Sequence, residues 1–441
     1  MDWWWALVSI FLGLLILFGT GFPVAFSFLL VNILGIYFFW GGEAGLRQLI
    51  LSIYASLTNF ILVPVPMFFL MGEIMFQSGV AMDVINALDK WLGRLPGRLS
   101  LLTVASATVL SALTGVPMAS VALLGTSLLP EMERRGYDRG MIIGPIIGAG
   151  GLAMLIPPSA VAVLLAGIAE ISVSGVLIGG IGPGIILACF YSVYIIIRCW
   201  LKPSLAPVYD VRQVSTRERV RTLFIDILPL TFVIFMVIGV MFLGLATPTE
   251  AATSGALGSV ILAACHKRLT WDLIKRSLIG TTRLTIMVFM IVAGSTAFCQ
   301  MLAFSQATKG LVELLTGLPL SPILIVMVMQ LILLIMGCLM DLFSIMMITI
   351  PIFFPIIKAL GLNPLWFGIL FLLNMEIAPQ TPPFGMELFV MKGVAPQDVS
   401  MVDIWRAAVP FILMEILLLW LMIIFPDIAL WLPSLVKGRS L

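Results

Sequence analysis

Long apolar stretches recur along almost the whole chain, and they constrain its fold more than any other feature. Stretches of roughly twenty residues, the length that crosses a bilayer as a helix, occur ten times. They lie near residues 4–19, 21–40, 58–79, 140–169, 175–200, 223–243, 249–265, 277–305, 365–391 and 407–431. Of the 441 residues, 61% are hydrophobic and only 10% are charged, a balance that a water-soluble domain could not bury. We therefore expect an all-α polytopic membrane protein.

Two further apolar stretches, at about 99–130 and 320–357, are too long for one crossing. Each has small, polar or charged residues at its centre, SALTGVPMAS (111–120) in the first and MGCLMDLFS (336–344) in the second. A re-entrant helical hairpin, which enters and leaves the membrane on the same side, accounts for both the length and the polar centre. We name them hairpin one and hairpin two.

The distribution of basic residues predicts the orientation. Ten crossings and two re-entrant hairpins place both termini on the same side of the membrane. If that side is outside, eighteen of the 24 Lys and Arg residues are cytoplasmic and five are external, with Arg283 near or inside a span. Basic residues are enriched in cytoplasmic loops, so we expect both termini outside the cytoplasm.

A shift of 225 residues relates the two halves of the chain. Four of the twelve prolines before residue 217 meet a second proline at this shift: Pro23, Pro130, Pro157 and Pro158 meet Pro248, Pro355, Pro382 and Pro383. Each half has five crossings, an odd number, so the second copy is inverted relative to the first, as in many secondary transporters. We predict a first inverted repeat at 1–205, a cytoplasmic linker at 206–222, a second repeat at 223–432 and an external tail at 433–441.

Each half contains a double proline, which we expect to break a helix at about 140–169 and 365–391. Because proline has no N–H, upstream carbonyls lose their donors and can bind a cation, while the next half-helix presents its positive end to an anion. Non-helical backbone is tolerated at membrane depth only beside protein or a water-filled cavity. A hairpin tip supplies the neighbouring protein. We predict two composite sites, Thr114–Ser120 against Ile156–Ser159 and Gly337–Ser344 against Gln380–Gly385. The alternative is a pair of proline kinks with packing roles only.

Polar side chains inside these apolar segments are further candidates. Ser159 and Thr381 add hydroxyl oxygens suited to sodium. Asp341 lies at the tip of hairpin two and Glu376 lies one turn before APQTPP. Each is either an ion ligand or site organiser, or a structural group, which pairs with a buried arginine such as Arg283 or ties one helical bundle to another. For two other acidic residues within apolar stretches we favour a structural role: Glu73 and Glu250.

Four segments resemble one family of membrane proteins: PEMERRGYDRG (130–140), GGLAMLIPPSAVAVLLAGIAEISVSGVLIGGIGPG (150–184), GCLMDLFSIMMITIPIFFPIIKALGLNPLWFG (337–368) and TPPFGMELFVMKGVAP (381–396). They are similar to the large membrane (permease) subunit of tripartite ATP-independent periplasmic (TRAP) transporters, of the ion-transporter superfamily. The resemblance covers nearly the whole chain. It implies a bacterial inner (cytoplasmic) membrane, with both termini periplasmic.

The same resemblance implies a function and partners. The chain would import an organic acid, a carboxylate or a sulfonate, driven by sodium. A soluble periplasmic binding protein would deliver the substrate, and a small four-helix membrane subunit would pair with this one. The family's elevator mechanism has a transport domain of hairpins and broken helices that slides against a scaffold.

Residue roles follow from the resemblance position by position. It implies one sodium site at Thr114, Gly115, Ile156, Pro157 and Ser159, and a second at Gly337, Thr381, Pro382 and Phe384. The substrate would lie between the two tips, near Ser111, Pro117, Ser120, Pro158, Asp341, Ser344, Gln380, Pro383 and Gly385. The first tip reads TGVPMAS where the family often has a Gly-Ser-Ser-like run, so the hydroxyls that remain there are those of Ser111, Thr114 and Ser120.

Two other functions stay open from the sequence. A self-sufficient sodium-coupled anion symporter of the same superfamily would need no partner, and transport by the purified chain alone would identify it. A membrane enzyme acting on lipid intermediates would need ionisable residues clustered at one interface, but the charges here are dispersed. No Walker motif, paired-aspartate metal motif or His/Cys cluster occurs, so we expect neither an enzyme nor a cofactor beyond coupling sodium ions. Nothing in the sequence indicates nucleic-acid binding.

Overall fold

The structure is a computed structural model that describes residues 3–39, 41–93, 95–114, 117–207, 215–317, 319–338, 340–382 and 385–437, with residues 111–114 and 437 described as backbone only. Every regular element in these ranges is helical, as the sequence predicts. The described part of the first half contains the helices α1 (Trp3–Gly19), α2 (Val24–Phe39), α3 (Glu43–Leu57), α4 (Pro64–Gln77), α5 (Val80–Trp91), α6 (Arg98–Thr114), α7 (Pro117–Arg134), α8 (Arg139–Gly151), α9 (Ala160–Ala169) and α10 (Val173–Leu201).

The second half begins with one continuous helical stretch, in which two π-helical turns separate three short helices. These are α11 (Thr216–Thr222), α12 (Leu228–Ile234) and α13 (Val240–Phe242). The rest of the half contains α14 (Pro248–Cys265), α15 (Trp271–Phe304), α16 (Ala307–Gly317), α17 (Pro322–Gly337), α18 (Leu342–Ala359), α19 (Pro364–Ile377), α20 (Met386–Val394), α21 (Met401–Ile424) and α22 (Asp427–Lys437).

Six helical stretches of the described residues are long and apolar enough to cross a membrane: Phe60–Gln77, Val173–Leu201, Thr216–Phe242, Trp271–Phe304, Leu342–Ala359 and Met401–Ile424. Five of them fall on stretches predicted to span, and the other is α18, in hairpin two. The apolar helices α1 and α2 are slightly shorter, at 17 and 16 residues. Large apolar side chains on the outer faces are exposed, such as Phe38 at 74% and Trp200 at 72%. These are the features of a multi-pass membrane protein.

The helical pattern is interrupted at both double prolines. α8 ends at Gly151 and α9 begins at Ala160, while α19 ends at Ile377 and α20 begins at Met386. The bounds of the helices also repeat along the chain. Adding 225 to the bounds of α7 (117–134) gives 342–359, the bounds of α18, and adding it to α8 (139–151) gives 364–376, against 364–377 for α19. The helices therefore share the offset found in the prolines.

Helices α3 and α16 lie where the sequence predicts no span. α3 carries Glu43 and Arg47 near its start, and it buries one narrow stripe made of Gly45, Leu49, Ser52 and Ser56. Shifted by 225, the bounds of α3 and α4 become 268–282 and 289–302, which both fall close to the single helix α15 at 271–304. The two short helices together take the place of one long helix.

The predicted stretch 407–431 is divided in the structure. α21 ends at Ile424 and α22 begins at Asp427, on either side of Pro426, because proline lacks an amide donor and disfavours helical backbone in the residue before it. Residues 433–437 of the predicted tail belong to α22.

The helices that precede the two breaks lie at the centre of the molecule. All residues from Met141 to Gly151 in α8 and from Leu365 to Ile377 in α19 are buried, as expected for helices that are apolar all round. α8 packs against α21 through glycines, and a Cβ added at Gly148 would lie 2.6 Å from Cδ1 of Phe411. Protein therefore surrounds the segments that follow these helices.

Candidate functional site

The first break runs from residue 152 to Ser159, directly after α8. Pro157 and Pro158 can donate no hydrogen bond, and the carbonyls of residues 153–158 accept none from the described residues. Ser159 is the N-cap of α9, where its Oγ accepts a hydrogen bond from the Ala162 amide at 3.2 Å. Buried carbonyls without donors are costly unless another group binds them, so this segment is a candidate cation site.

The second break runs from Ala378 to Gly385, directly after α19. Its first residues form one 3-10 turn, closed by the Thr381 amide, which donates to the Ala378 carbonyl at 3.2 Å. The carbonyls of residues 379–382 accept no hydrogen bond from the part of the chain that the structure describes. Thr381 Oγ1 donates to the Ile377 carbonyl at 2.8 Å, which leaves its lone pairs available to a cation.

Glycines bring neighbouring helices against both breaks. A Cβ added at Gly180 of α10 would lie 2.3 Å from the Leu155 carbonyl oxygen. At the second break, a Cβ added at Gly337, the last residue of α17, would lie 2.0 Å from Cβ of Ala378. Hairpin two therefore packs directly against the second break, as the predicted second sodium site requires.

Asp341 organises the tip of hairpin two as the N-cap of α18. Its Oδ1 accepts hydrogen bonds from the amides of Phe343 and Ser344 at 3.0 and 3.1 Å, and its Oδ2 accepts one from the Ser344 hydroxyl. A carboxylate in this position satisfies free amides and interacts favourably with the helix dipole. Arg283, which the sequence suggests as a buried partner for such a carboxylate, is instead exposed on α15.

The N-terminus of α20 differs from those of α9 and α18, because no side chain caps it. Its N-cap residue is Gly385, and the amides of Met386 and Glu387 donate no hydrogen bond within the described residues. Free amides at the positive end of a helix attract an anion. This helix end lies beside the second break. An anion bound at the helix end and a cation bound at the carbonyls of the break would therefore be neighbours.

The predicted site residues that the structure describes are all buried or half-buried. The buried ones are Pro117, Ser120, Pro157, Pro158, Ser159, Gly337, Ser344, Gln380 and Gly385, and the half-buried ones are Ile156, Asp341, Thr381 and Pro382. Gly115, Pro383 and Phe384 lie outside the described residues, as do the side chains of Ser111 and Thr114.

Neither Glu73 nor Glu250 pairs with an arginine among the described residues. Glu250 forms a capping box with Thr247 at the start of α14. Glu73 packs against α15, where a Cβ added at Gly280 would lie 2.6 Å from its Cδ.

Three buried glutamates adjoin the second break, and we name them the glutamate cluster. Glu376 precedes the break on α19, Glu387 follows it on α20, and Glu415 lies on α21, each with 0% exposure. Tyr191 of α10 donates a hydrogen bond to Oε1 of Glu415 at 2.5 Å. The other carboxyl oxygens of the cluster have no hydrogen-bond partner among the described residues.

The sequence points to Glu376 but not to Glu387, Glu415 or Tyr191. The available signal was an acidic residue inside an apolar run, in PFGMELFV and FILMEILLLW. An acidic residue in an apolar run does not by itself show that the three glutamates lie close together in the fold.

A second group of ionisable side chains lies away from the breaks. Asp83, Asp226 and His266 offer ligand atoms that all lie within 4.8 Å of one another. Arg268 forms an ion pair with one member of this group, because its Nη2 lies 2.9 Å from Oδ2 of Asp83, and it also donates to the Ser78 carbonyl at 3.1 Å. The group therefore links α5 to the segment after α14.

The sequence profile of one family, described as "Tripartite ATP-independent periplasmic transporter, DctM component", matches residues 11–428. The chain belongs to this family. The relatives of this TRAP permease include the ectoine TRAP transporter large permease protein TeaC of Halomonas elongata, which is 30% identical over 97% of this chain and 98% of the relative. The C4-dicarboxylate TRAP transporter large permease protein DctM of Pseudomonas aeruginosa is 31% identical over 88% of this chain and 90% of the relative. The resemblance predicted from the motifs is confirmed.

A further relative has a different named substrate. The 2,3-diketo-L-gulonate TRAP transporter large permease protein YiaN of Escherichia coli is 28% identical over 96% of this chain and 97% of the relative. Permeases named for several substrates thus align with this TRAP permease over almost its full length.

Solved structures with similar folds are also transporters. The Alcanivorax borkumensis YdaH transporter matches with a TM-score of 0.65 at 15% identity, over 89% of this chain and 90% of that one. Neisseria gonorrhoeae MtrF, from a class of antimetabolite efflux pumps, matches with a TM-score of 0.62 at 14% identity, over 88% and 85%. At these identities the likeness concerns the fold alone.

Proposed function

We propose that this TRAP permease is the translocating subunit of a sodium-driven importer of a small organic acid, a carboxylate or a sulfonate. The two breaks support this most directly, because each leaves carbonyls without donors beside a hydroxyl, Ser159 in the first and Thr381 in the second. Unwound carbonyls at helix breaks are the groups that coordinate sodium in secondary transporters. One sodium site is formed by Thr114, Gly115, Ile156, Pro157 and Ser159, and the other by Gly337, Thr381, Pro382 and Phe384.

The acidic group of the substrate binds near Gly385, at the N-terminus of α20. This helix end has no side-chain cap, whereas Asp341 already occupies the end of α18 with a negative charge. The names of the C4-dicarboxylate and 2,3-diketo-L-gulonate relatives support an organic acid as the substrate class.

The protein works with two partners, as the tripartite character of the family suggests. A periplasmic binding protein delivers the substrate, and a small four-helix membrane subunit covers part of the apolar surface. Exposed aromatic side chains on α1, α2 and α3 favour that surface for this subunit, namely Trp5, Phe38 and Tyr54. The chain itself is a carrier, with no catalytic role.

Transport follows an elevator mechanism between two inverted repeats, with both termini periplasmic and the 206–222 linker cytoplasmic. The shared offset of 225 residues in prolines and helix bounds supports the repeat. The hairpins are re-entrant and move with the broken helices as a transport domain.

The test is uptake of labelled organic acids by proteoliposomes in which single components are omitted. The binding protein, the small subunit and an inward sodium gradient should each be required. Equal uptake when potassium replaces sodium would contradict sodium coupling. Full uptake by the purified chain alone would instead establish the alternative, a self-sufficient sodium-coupled anion symporter.

A further inference from the structure

The glutamate cluster lies between the two breaks of the TRAP permease. Glu376 and Glu387 flank the second break, and Gly151, the last residue of α8, lies at the start of the first. A Cβ added at Gly151 would lie 2.5 Å from Cγ of Glu376 and 2.6 Å from Nε2 of Gln380. The cluster therefore lies against the start of the first break as well as beside the second.

Gln380 adds an unpaired amide to the cluster. Its side chain is 0% exposed, and neither amide atom has a hydrogen-bond partner among the described residues. The amide lies beside Glu376, across Gly151, and close to the carboxyl of Glu415. By geometric criteria the Gln380 amide completes no hydrogen bond to these carboxyl groups, and a buried amide of this kind needs a further hydrogen-bond partner.

The ionisable groups that face the cluster carry no positive charge. α19, α20 and α21 contribute the three glutamates, α10 contributes Tyr191, and α8 contributes only glycine and apolar side chains at this end. Within the described residues, no Lys, Arg or His forms an ion pair with Glu376, Glu387 or Glu415. Three ionised carboxylates placed together without a cation would be very costly at this depth.

A proton suits this site better than a metal ion. The close approach of Gly151 favours a ligand that needs no added volume. A protonated carboxyl is both a donor and an acceptor, so each proton bound here would supply one of the donors that the carboxyl oxygens and the Gln380 amide oxygen lack. We propose that the glutamate cluster is a proton-binding site that holds at least one proton at neutral pH and exchanges it during transport. This site is separate from the carbonyl oxygens of the breaks, so the inference does not depend on which ion drives uptake.

The first test is infrared spectroscopy of the full-length chain at neutral pH in a maltoside detergent, which contains no carbonyl group. Surface carboxyls are ionised there, so the C=O stretch of a protonated carboxylic acid reports buried acids alone. We expect this band in the wild type, a weaker band in Glu376→Gln, Glu387→Gln and Glu415→Gln, and its loss in the triple variant. The matched control is Glu313→Gln on α16, whose exposed carboxyl should contribute nothing to the band.

Two results would overturn proton binding. The band could be absent from the wild type at neutral pH, which needs no variant to interpret. Alternatively, it could keep its full intensity in all three single variants, each checked for a folded, monodisperse state.

The second test measures proton exchange through the pH dependence of uptake in the reconstituted complex. Wild-type uptake should change with pH, and Glu387→Gln should remove that dependence, while Glu313→Gln should keep it. Glu387→Gln with the pH profile of the wild type would show that protons bound here are not exchanged during transport, and would overturn that half of the proposal. A failure of sodium coupling would leave the infrared test intact, because that test involves neither uptake nor a sodium gradient.

Discussion

Thr381 and Ser159 lie on opposite sides of their double prolines. Thr381 precedes Pro382, whereas Ser159 follows Pro158. The Ser159 hydroxyl already accepts a hydrogen bond as the cap of α9, while Thr381 Oγ1 donates one and keeps its lone pairs. The second site can therefore use its side-chain oxygen more fully than the first.

Replacement of Thr381 by alanine should weaken sodium binding. Removal of one ligand oxygen from a charged site costs roughly 1.5–3 kcal/mol, or about ten- to a hundredfold in affinity. The sodium concentration for half-maximal uptake should rise by that factor in the reconstituted complex. Thr381→Ser keeps the hydroxyl and should behave as the wild type. Unchanged sodium dependence in Thr381→Ala would remove this residue from the site.

Asp341 allows a cap to be distinguished from an ion ligand. Asparagine is also a good N-cap, so Asp341→Asn should keep both stability and sodium dependence. Asp341→Ala removes the cap and should lower the free energy of unfolding by about 1 kcal/mol, measured as a lower melting temperature. A folded Asp341→Asn protein that no longer responds to sodium would make the carboxylate a ligand.

At the scale of elements, α8 depends on glycine for its packing against α21. A methyl group at Gly148 would meet Cβ, Cγ and Cδ1 of Phe411 within 2.8 Å, and the Cβ does not move when the side chain rotates. Gly148→Ala should cost about 1–3 kcal/mol through overpacking and lower the melting temperature. Gly393→Ala in α20 is the matched control, because nothing lies within 4 Å of its added methyl. It should leave stability unchanged or raise it by up to about 1 kcal/mol. Equal melting temperatures for the two variants would show that α8 and α21 are not packed this closely.

The sequence locates the breaks well because proline acts locally, through an amide that it lacks. The sequence does not predict α3, because its charged residues interrupt the apolar pattern and only a narrow stripe of the helix is buried. It does not predict α16 either, because that helix is too short to span the membrane. It also misses most of the glutamate cluster for a different reason. Tyr191 and Glu415 are separated by 224 residues in the chain, and only the packing of α10 against α21 brings them together.

At the scale of the whole molecule, the orientation in the membrane is a prediction from the basic residues. Alkaline phosphatase is active only outside the cytoplasm, so a fusion after residue 212 should be inactive and a fusion at the C-terminus active. The reverse pattern would show that the membrane orientation is the opposite of the one predicted.

The offset of 225 residues is the whole-molecule feature that the sequence predicts best, because both prolines and helix bounds follow it. The site at its centre is predicted less completely. No sequence pattern shows whether unpaired backbone carbonyls bind an ion. Sodium binding is therefore tested by changing the residues of the breaks.

The most direct test is the sodium dependence of uptake by the complete reconstituted complex with Pro157 and Pro158 both replaced by alanine. Alanine restores two amide donors, so the helix can close across the first break and withdraw the carbonyls of residues 153–158. The control is Pro410→Ala in α21, a proline inside a continuous helix away from the breaks. We expect the double variant to reach the membrane folded but to lose sodium-driven uptake, while the control keeps it. Uptake by the double variant with the sodium dependence of the wild type would show that the prolines are only kinks, and would contradict the account.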